Sequence, residues 1–191
     1  MKIFVFLFTC NALYDSIILQ RIIIGICMLL NFAKGNLIDM AEAGQFDIIV
    51  HGCNCQNVMG AGIAKEIRER YPQAYVADSS TSYTYQKPVL KLGNFSVAAD
   101  NPIDPKFEIV NAYTQLNYQP RGVDHFDYDS FKLILKKLAM VAPDARYGFP
   151  MIGMGLAGGN KDRIMKIMFA FAGQVYANGG SVTMVEFSNE K

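Results

Sequence analysis

The sequence predicts an α/β fold, with a largely parallel central sheet and helices on both faces. Three observations carry this. Strand-like and helix-like segments interleave along the chain, the pattern of crossover connections. Phe46–Val50 is an apolar, β-branched run without alternation, as a central strand covered on both faces requires. And two strands each run into a glycine-rich turn followed directly by a helix.

The organised pattern begins at Met28, with an apolar strand Met28–Phe32 entering the turn Lys34-Gly35-Asn36. A short helix, Leu37–Ala43, ends at Gly44, which supplies a left-handed cap. After the Phe46–Val50 strand comes the segment His51 to Gly62. A helix follows, with Ile63 and Ile67 on its apolar side and Lys65, Glu66, Glu69 and Arg70 on its wet side. Pro72 closes that pattern. Leu90–Ala99 and Phe107–Tyr113 read as two strands separated by the turn-rich Asp100–Pro105. Phe131, Ile134, Leu135 and Leu138 set a helical period over Asp127–Val141. The strand Arg146–Ile152 leads into the glycine cluster 153–159, then a helix Asp162–Tyr176 and an alternating strand Ser181–Phe187. One domain, 28–191, accounts for this pattern.

Residues 1–27 stand apart as a hydrophobic extension. Ile3–Phe8 and Ile22–Leu30 are apolar but too short to span a bilayer, and Asn11, Asp15, Gln20 and Arg21 interrupt the interval between them. A leader or membrane-associated segment, an extra packed element and an upstream extension that the domain does not need all fit this composition.

Composition narrows the partners. The 191 residues are 51% hydrophobic and 18% charged, enough apolar surface for a full core. A net charge of +1, with no basic run longer than Lys136-Lys137, gives no footprint for long DNA or RNA. Cysteines at 10, 27, 53 and 55 form no CxxC pair and only two histidines accompany them, so no metal is expected. Reduced thiols in a cytoplasmic, monomeric protein without a cofactor is the plain expectation.

The two glycine loops carry the functional signal. Gly60-Ala61-Gly62 and the 153–159 cluster each follow a strand and open a helix. Glycine admits positive φ and lets backbone N–H groups approach a ligand, and a helix N-terminus adds unpaired donors and a positive dipole end. Tight turns alone would explain either loop; two together suit a diphosphate held from opposite sides. Other nucleotide codes fit badly. There is no GxxxxGK[ST] and no G-x-S-x-G, and Gly153-x-Gly155-x-x-Gly158 lies far from the first strand.

Five segments together resemble the macro domain family, in the branch of the yeast-type and phage ADP-ribose 1''-phosphate phosphatases. They are Lys34-Gly35-Asn36-Leu37, Asp47–Asn54, Met59-Gly60-Ala61-Gly62-Ile63-Ala64, Asn111-Ala112-Tyr113-Thr114-Gln115 and Ile152–Gly159. The resemblance implies a three-layer α/β/α sandwich with a mixed sheet. It also implies a small ADP-ribose derivative as partner, and hydrolysis of a 1''-phosphomonoester. The alternative is ADP-ribose recognition, or its removal from a protein or nucleic-acid conjugate.

By the same resemblance, Asn36 stands where the family usually has an Asp that accepts from the adenine amino group, beside Leu37. Gly60, Ala61, Gly62 and Ile63 match the first phosphate loop. Gly153, Met154, Gly155, Leu156, Ala157 and Gly158 match the second. Asn54 matches an Asn that touches the distal ribose, and His51 a histidine common at that place. Gln115 and Ala157 replace the lysine and aspartate of another branch, which excludes a Schiff-base route at these positions. On chemistry, His51 is the candidate to aim water or shuttle a proton, and a strand-end histidine hydrogen-bonded for structure fits it equally. Asp162 could accept one or cap the following helix. Tyr113 and Tyr118 could flank a sugar or base, and Phe187 could cover adenine.

Overall fold

The computed structural model describes residues 29–81, 87–120 and 122–188; the expectations for 1–27 and for Met28 lie outside them. The first half of the chain runs β1 (Leu30–Gly35), α1 (Leu37–Glu42), β2 (Ile48–Asn54), α2 (Gly62–Arg70) and α3 (Pro72–Ser79). A 3-10 turn (Pro88–Lys91) then precedes β3 (Phe95–Ala99) and β4 (Glu108–Gln115). The second half runs α4 (Tyr128–Val141), β5 (Arg146–Pro150), α5 (Lys161–Tyr176) and β6 (Ser181–Phe187).

Among the described residues six strands form one sheet in the order β1-β6-β5-β2-β4-β3. All neighbours are parallel except β3, which lies antiparallel on β4 as an edge. Strand alternation divides the core in two. Ile48, Val50, Val110, Ala112, Val182 and Met184 face α4 and α5, against Phe131, Ile134, Met168 and Phe171. Ile49, Ile109 and Val185 face the other way, against Leu37, Ile38, Ile67 and Ala74 of α1, α2 and α3. Burial on both faces is why Phe46–Val50 shows no alternation in hydrophobicity. The result is a three-layer sandwich, and its α2 and β2 ends meet where the first glycine loop sits.

Two boundaries differ from the sequence reading. α2 ends at Arg70, before Pro72 as expected, but Pro72 also opens a helix that the sequence reading lacked: it occupies the first turn of α3, where its missing N–H costs nothing. The 90–94 stretch is not strand, because the 3-10 turn and Gly93, at φ +74°, delay β3 to Phe95. No helix among the described residues is long and apolar enough to cross a membrane.

Candidate functional site

β2 delivers Asn54 to the sheet's C-terminal edge, and Asn54 then shapes its own loop. Its Oδ1 accepts from the N–H of Gln56 at 2.9 Å and of Val58 at 3.2 Å, and its Nδ2 donates to the Val58 carbonyl at 2.8 Å. One Nδ2 hydrogen remains to face outward. Asn57 sits at φ +58°, the left-handed region that asparagine tolerates. Beyond it, α2 starts with Ala61 as N-cap and no side chain capping it. By contrast, Asn36, Asp127 and Asn160 cap α1, α4 and α5. The N–H groups from Gly60 to Ala64 have no acceptor among the described residues. That is the donor set an anion needs.

The loop after β5 supplies a second row. The N–H groups of Gly155, Leu156 and Ala157 have no acceptor among the described residues, whereas those of Met154, Gly158 and Gly159 bond within the loop. Gly153 and Gly158 take φ +74° and +71°. A Cβ at Gly153 would lie 2.5 Å from the Phe126 ring, and one at Gly158 would lie 2.7 Å from the Val123 carbonyl oxygen. Packing explains these two glycines, while Gly155 faces open space.

Asn54, Gly60, Ala61, Gln115, Tyr118 and Leu156 line one cavity of about 230 Å³, so both loops reach the same space. Gly62 and Ile63, on the other side of the α2 N-terminus, line a second cavity of about 420 Å³ together with Asn36, Leu37, Glu66 and Phe187. Residues 60–63 thus form the sill between two chambers. Of the remaining residues singled out, Met154 packs against the core and Ala157 is buried within it. Their contribution to a ligand is confined to backbone.

Four expectations need correction. His51 does not face the cleft: it is 1% exposed, and its Nε2 donates to Asn111 Oδ1 at 2.7 Å. Asn111 Nδ2 in turn donates to the Ala74 carbonyl and to Ser96, which fixes its orientation. Asp162 lies in the first turn of α5 behind its cap, lining neither chamber, and its charge complements the helix dipole there. Tyr113 is buried, with Lys91 Nζ 4.1 Å from its ring centre. The Asn36 carbonyl is not free for a base, since its Oδ1 accepts from Ile38 N at 2.9 Å and Asp39 N at 3.4 Å.

Burial lowers the His51 pKa, although the Asn111 bond opposes this. The folded state therefore keeps a neutral ring that the unfolded chain protonates below about pH 6.5. Its stabilising contribution is complete above that pH and is lost as pH falls toward the lower folded value. Unfolding free energy should drop as pH falls below about 6.5, by up to about 1.4 kcal/mol per unit. The carboxylates held low, Glu42 by the Tyr71 hydroxyl and Asp47 by Arg146, act below that window. Denaturation series across pH check this, and His51→Gln, which keeps a donor for Asn111, should flatten the slope. The neighbouring Cys53 thiol lies 3.7 Å from the His51 ring nitrogens, and burial raises its pKa well above normal, which keeps it from acting as a thiolate nucleophile.

Sequence reasoning missed Glu66, Pro150 and Val185 in the larger chamber and Gly52, Val58 and Gln119 in the smaller. Glu66 is one turn beyond Gly62, so the loop-to-helix reading itself carried a signal for it. It also missed a buried cluster beneath the first loop. There Lys91 Nζ bonds Asp78 Oδ1 at 2.6 Å, the Asp78 carbonyl at 2.9 Å, and Asn57 Oδ1.

No protein-family model matches the chain. An uncharacterized 17.5 kDa protein from the tk-vs intergenic region of Enterobacteria phage T4 is 28% identical over 154 residues, covering 78% of this chain and 93% of the phage protein. Among solved structures, the macrodomain of Thermus aquaticus DarG matches with a TM-score of 0.60 at 19% identity, over 83% of this chain and 97% of that one. Thermosipho africanus DarTG, solved in complex with ADP-ribose, matches with a TM-score of 0.62 at 14% identity, over 84% of this chain and 42% of that one. The chain has the macrodomain fold.

Proposed function

We propose that the cleft binds an ADP-ribose unit, with the diphosphate over residues 60–63, the base in the larger chamber and the distal ribose in the smaller. The observation that carries this reading is two N–H rows without acceptors among the described residues, 60–64 and 155–157, of which Gly60, Ala61, Ala64 and Leu156 line one cavity. Such donors are fixed before the ligand arrives, so they offset phosphate charge without reorganising. The larger chamber's walls of Leu37, Ile63, Val185 and Phe187 suit a flat aromatic ring. The relative solved with ADP-ribose supports the choice of ligand.

Binding is the activity this geometry supports best, because the polar side chains lining the smaller chamber are Asn54, Gln115, Tyr118 and Gln119, with no carboxylate or imidazole among the described residues there. One observation favours a second reading, hydrolysis of ADP-ribose 1''-phosphate. If the diphosphate occupies the α2 row, the 155–157 row is left for a terminal phosphate. Water would then attack phosphorus, the bond from phosphorus to the C1'' oxygen would break, and inorganic phosphate and ADP-ribose would leave. With His51 out of reach, a phosphate oxygen of the substrate itself would have to take the water's proton and pass it to the departing C1'' oxygen.

Calorimetric titration with ADP-ribose and its 1''-phosphate, alongside phosphate release from the latter, tests both readings. Saturable ADP-ribose binding is expected, and its absence would reject the assignment. Phosphate release with turnover would establish the second reading; tight binding without release would leave recognition alone. Asn54→Ala deletes three bonds that shape the loop and should weaken binding, and any turnover, at least tenfold. An Asn54→Ala protein that folds and binds as wild type would sink the placement of the site.

A further inference from the structure

We propose that Glu66, and not Asn36, is the residue that selects the base; the inference rests on the larger chamber holding the base of the bound ligand. Asn36 has its carbonyl oxygen and one of its two Nδ2 hydrogens committed. Its Oδ1 caps α1, and its Nδ2 donates to Glu66 Oε1 at 2.9 Å. The same Oε1 accepts from Arg70 Nη1 at 2.9 Å. Arg70 is itself held by Asp39 and Glu42, each at 2.7 Å. Two donors on separate elements therefore lock one carboxylate oxygen. Oε2 has no partner among the described residues.

Glu66 lines the larger chamber with its side chain one-third exposed, against walls of Leu37, Ile63, Pro150, Val185 and Phe187. Leu37, Ile63, Pro150, Val185 and Phe187 leave the fixed Glu66 carboxylate as the charged side-chain acceptor that a ring edge would meet in this chamber. A ring edge carrying an amino group satisfies it. A keto group at that edge sets oxygen against the charged oxygen. The chemistry selected is a 6-aminopurine over a 6-oxopurine, and Asn36 acts as a positioning residue that holds Glu66 in place.

The test compares ADP-ribose with its hypoxanthine counterpart by calorimetry, for wild type, Glu66→Gln, Glu66→Ala and Asn36→Asp. Wild type should prefer the adenine ligand by tenfold or more. Glu66→Ala should lose about tenfold in ADP-ribose affinity, the scale of a hydrogen bond to a charged group. Glu66→Gln, whose amide can donate to a 6-oxo group, should bring the two ligands to within about threefold of each other. Asn36→Asp removes the donor to Glu66 and adds a like charge beside it, so binding should weaken. Were position 36 reading the base directly, an aspartate there would strengthen binding, and that result would overturn the proposal. An unchanged base preference in Glu66→Gln would overturn it too, with the cleft assignment intact. Failure of the wild type to bind either ligand would overturn both.

Discussion

Replacing Lys91 with methionine is expected to lower the unfolding free energy by about 3–5 kcal/mol, the cost of stranding one member of a buried ion pair. Both side chains are sealed, Lys91 at 0% and Asp78 at 1% exposure. Among the described residues Asp78 Oδ2 has no hydrogen-bond partner, so the carboxylate depends on the lysine for most of its compensation. Without Lys91 its charge would face the Tyr113 ring, whose face is electron-rich, and the Cys53 and Cys55 thiols. Against a typical total stability of about 5–15 kcal/mol, that loss is large. The double change Lys91→Met with Asp78→Leu should recover much of it, because paired removal leaves no orphaned charge. Denaturant titrations of the three proteins measure this, and a single-variant loss under 1 kcal/mol would contradict it. Ligand affinity should also fall in Lys91→Met, since Lys91 holds Asn57 in the loop between Asn54 and Gly60.

That cluster also shows where sequence reading stops. The sheet was legible because its strands are β-branched and apolar, its helices carry cap residues, and its two glycine loops follow strands. The macrodomain resemblance drew the same outline from five short segments. Lys91 was not legible. It sits in an apolar stretch resembling a strand, and its burial depends on Asp78, thirteen positions earlier on a helix that began at a proline read as a terminator. His51 is a different case. It lies three residues before Asn54 on β2, and the register with β4 shifts between Cys53 and Asn54, so simple alternation does not carry from one to the other. His51 joins Asn111 under α3, while Asn54 reaches the cleft. The sequence reading ends this strand at Val50, and the irregularity before Asn54 has no sequence signal, so neither periodicity nor the motif match separates the two side chains. Asn36 failed for a physical reason that no motif contains: a side chain that caps a helix has already used the oxygen a ligand would need.

Gly60→Val and Gly155→Val are expected to fold as the wild type does and to bind ADP-ribose at least tenfold more weakly. An added Cβ at Gly60 would meet only a Val58 methyl at 3.7 Å, and one at Gly155 would meet nothing within 4 Å. Neither residue has positive φ, so the backbone accepts a side chain at both. What valine would fill is the space that the proposed diphosphate and terminal groups occupy, from the first loop in one variant and the second in the other. Gly153→Ala provides the opposite case two residues away. Its Cβ would overlap Phe126 at 2.5 Å and Ile164 at 2.9 Å, at a φ of +74°. Overpacking costs about 1–3 kcal/mol, and the left-handed conformation adds about 1–2 kcal/mol. Gly153→Ala should therefore lose stability first and binding only as a consequence. Melting curves set beside titrations separate the two kinds of glycine. If both valine variants fold and bind with full affinity, the loops do not grip a ligand from two sides. If only Gly155→Val does so, the α2 row holds the anion alone and the second loop is a wall without a phosphate.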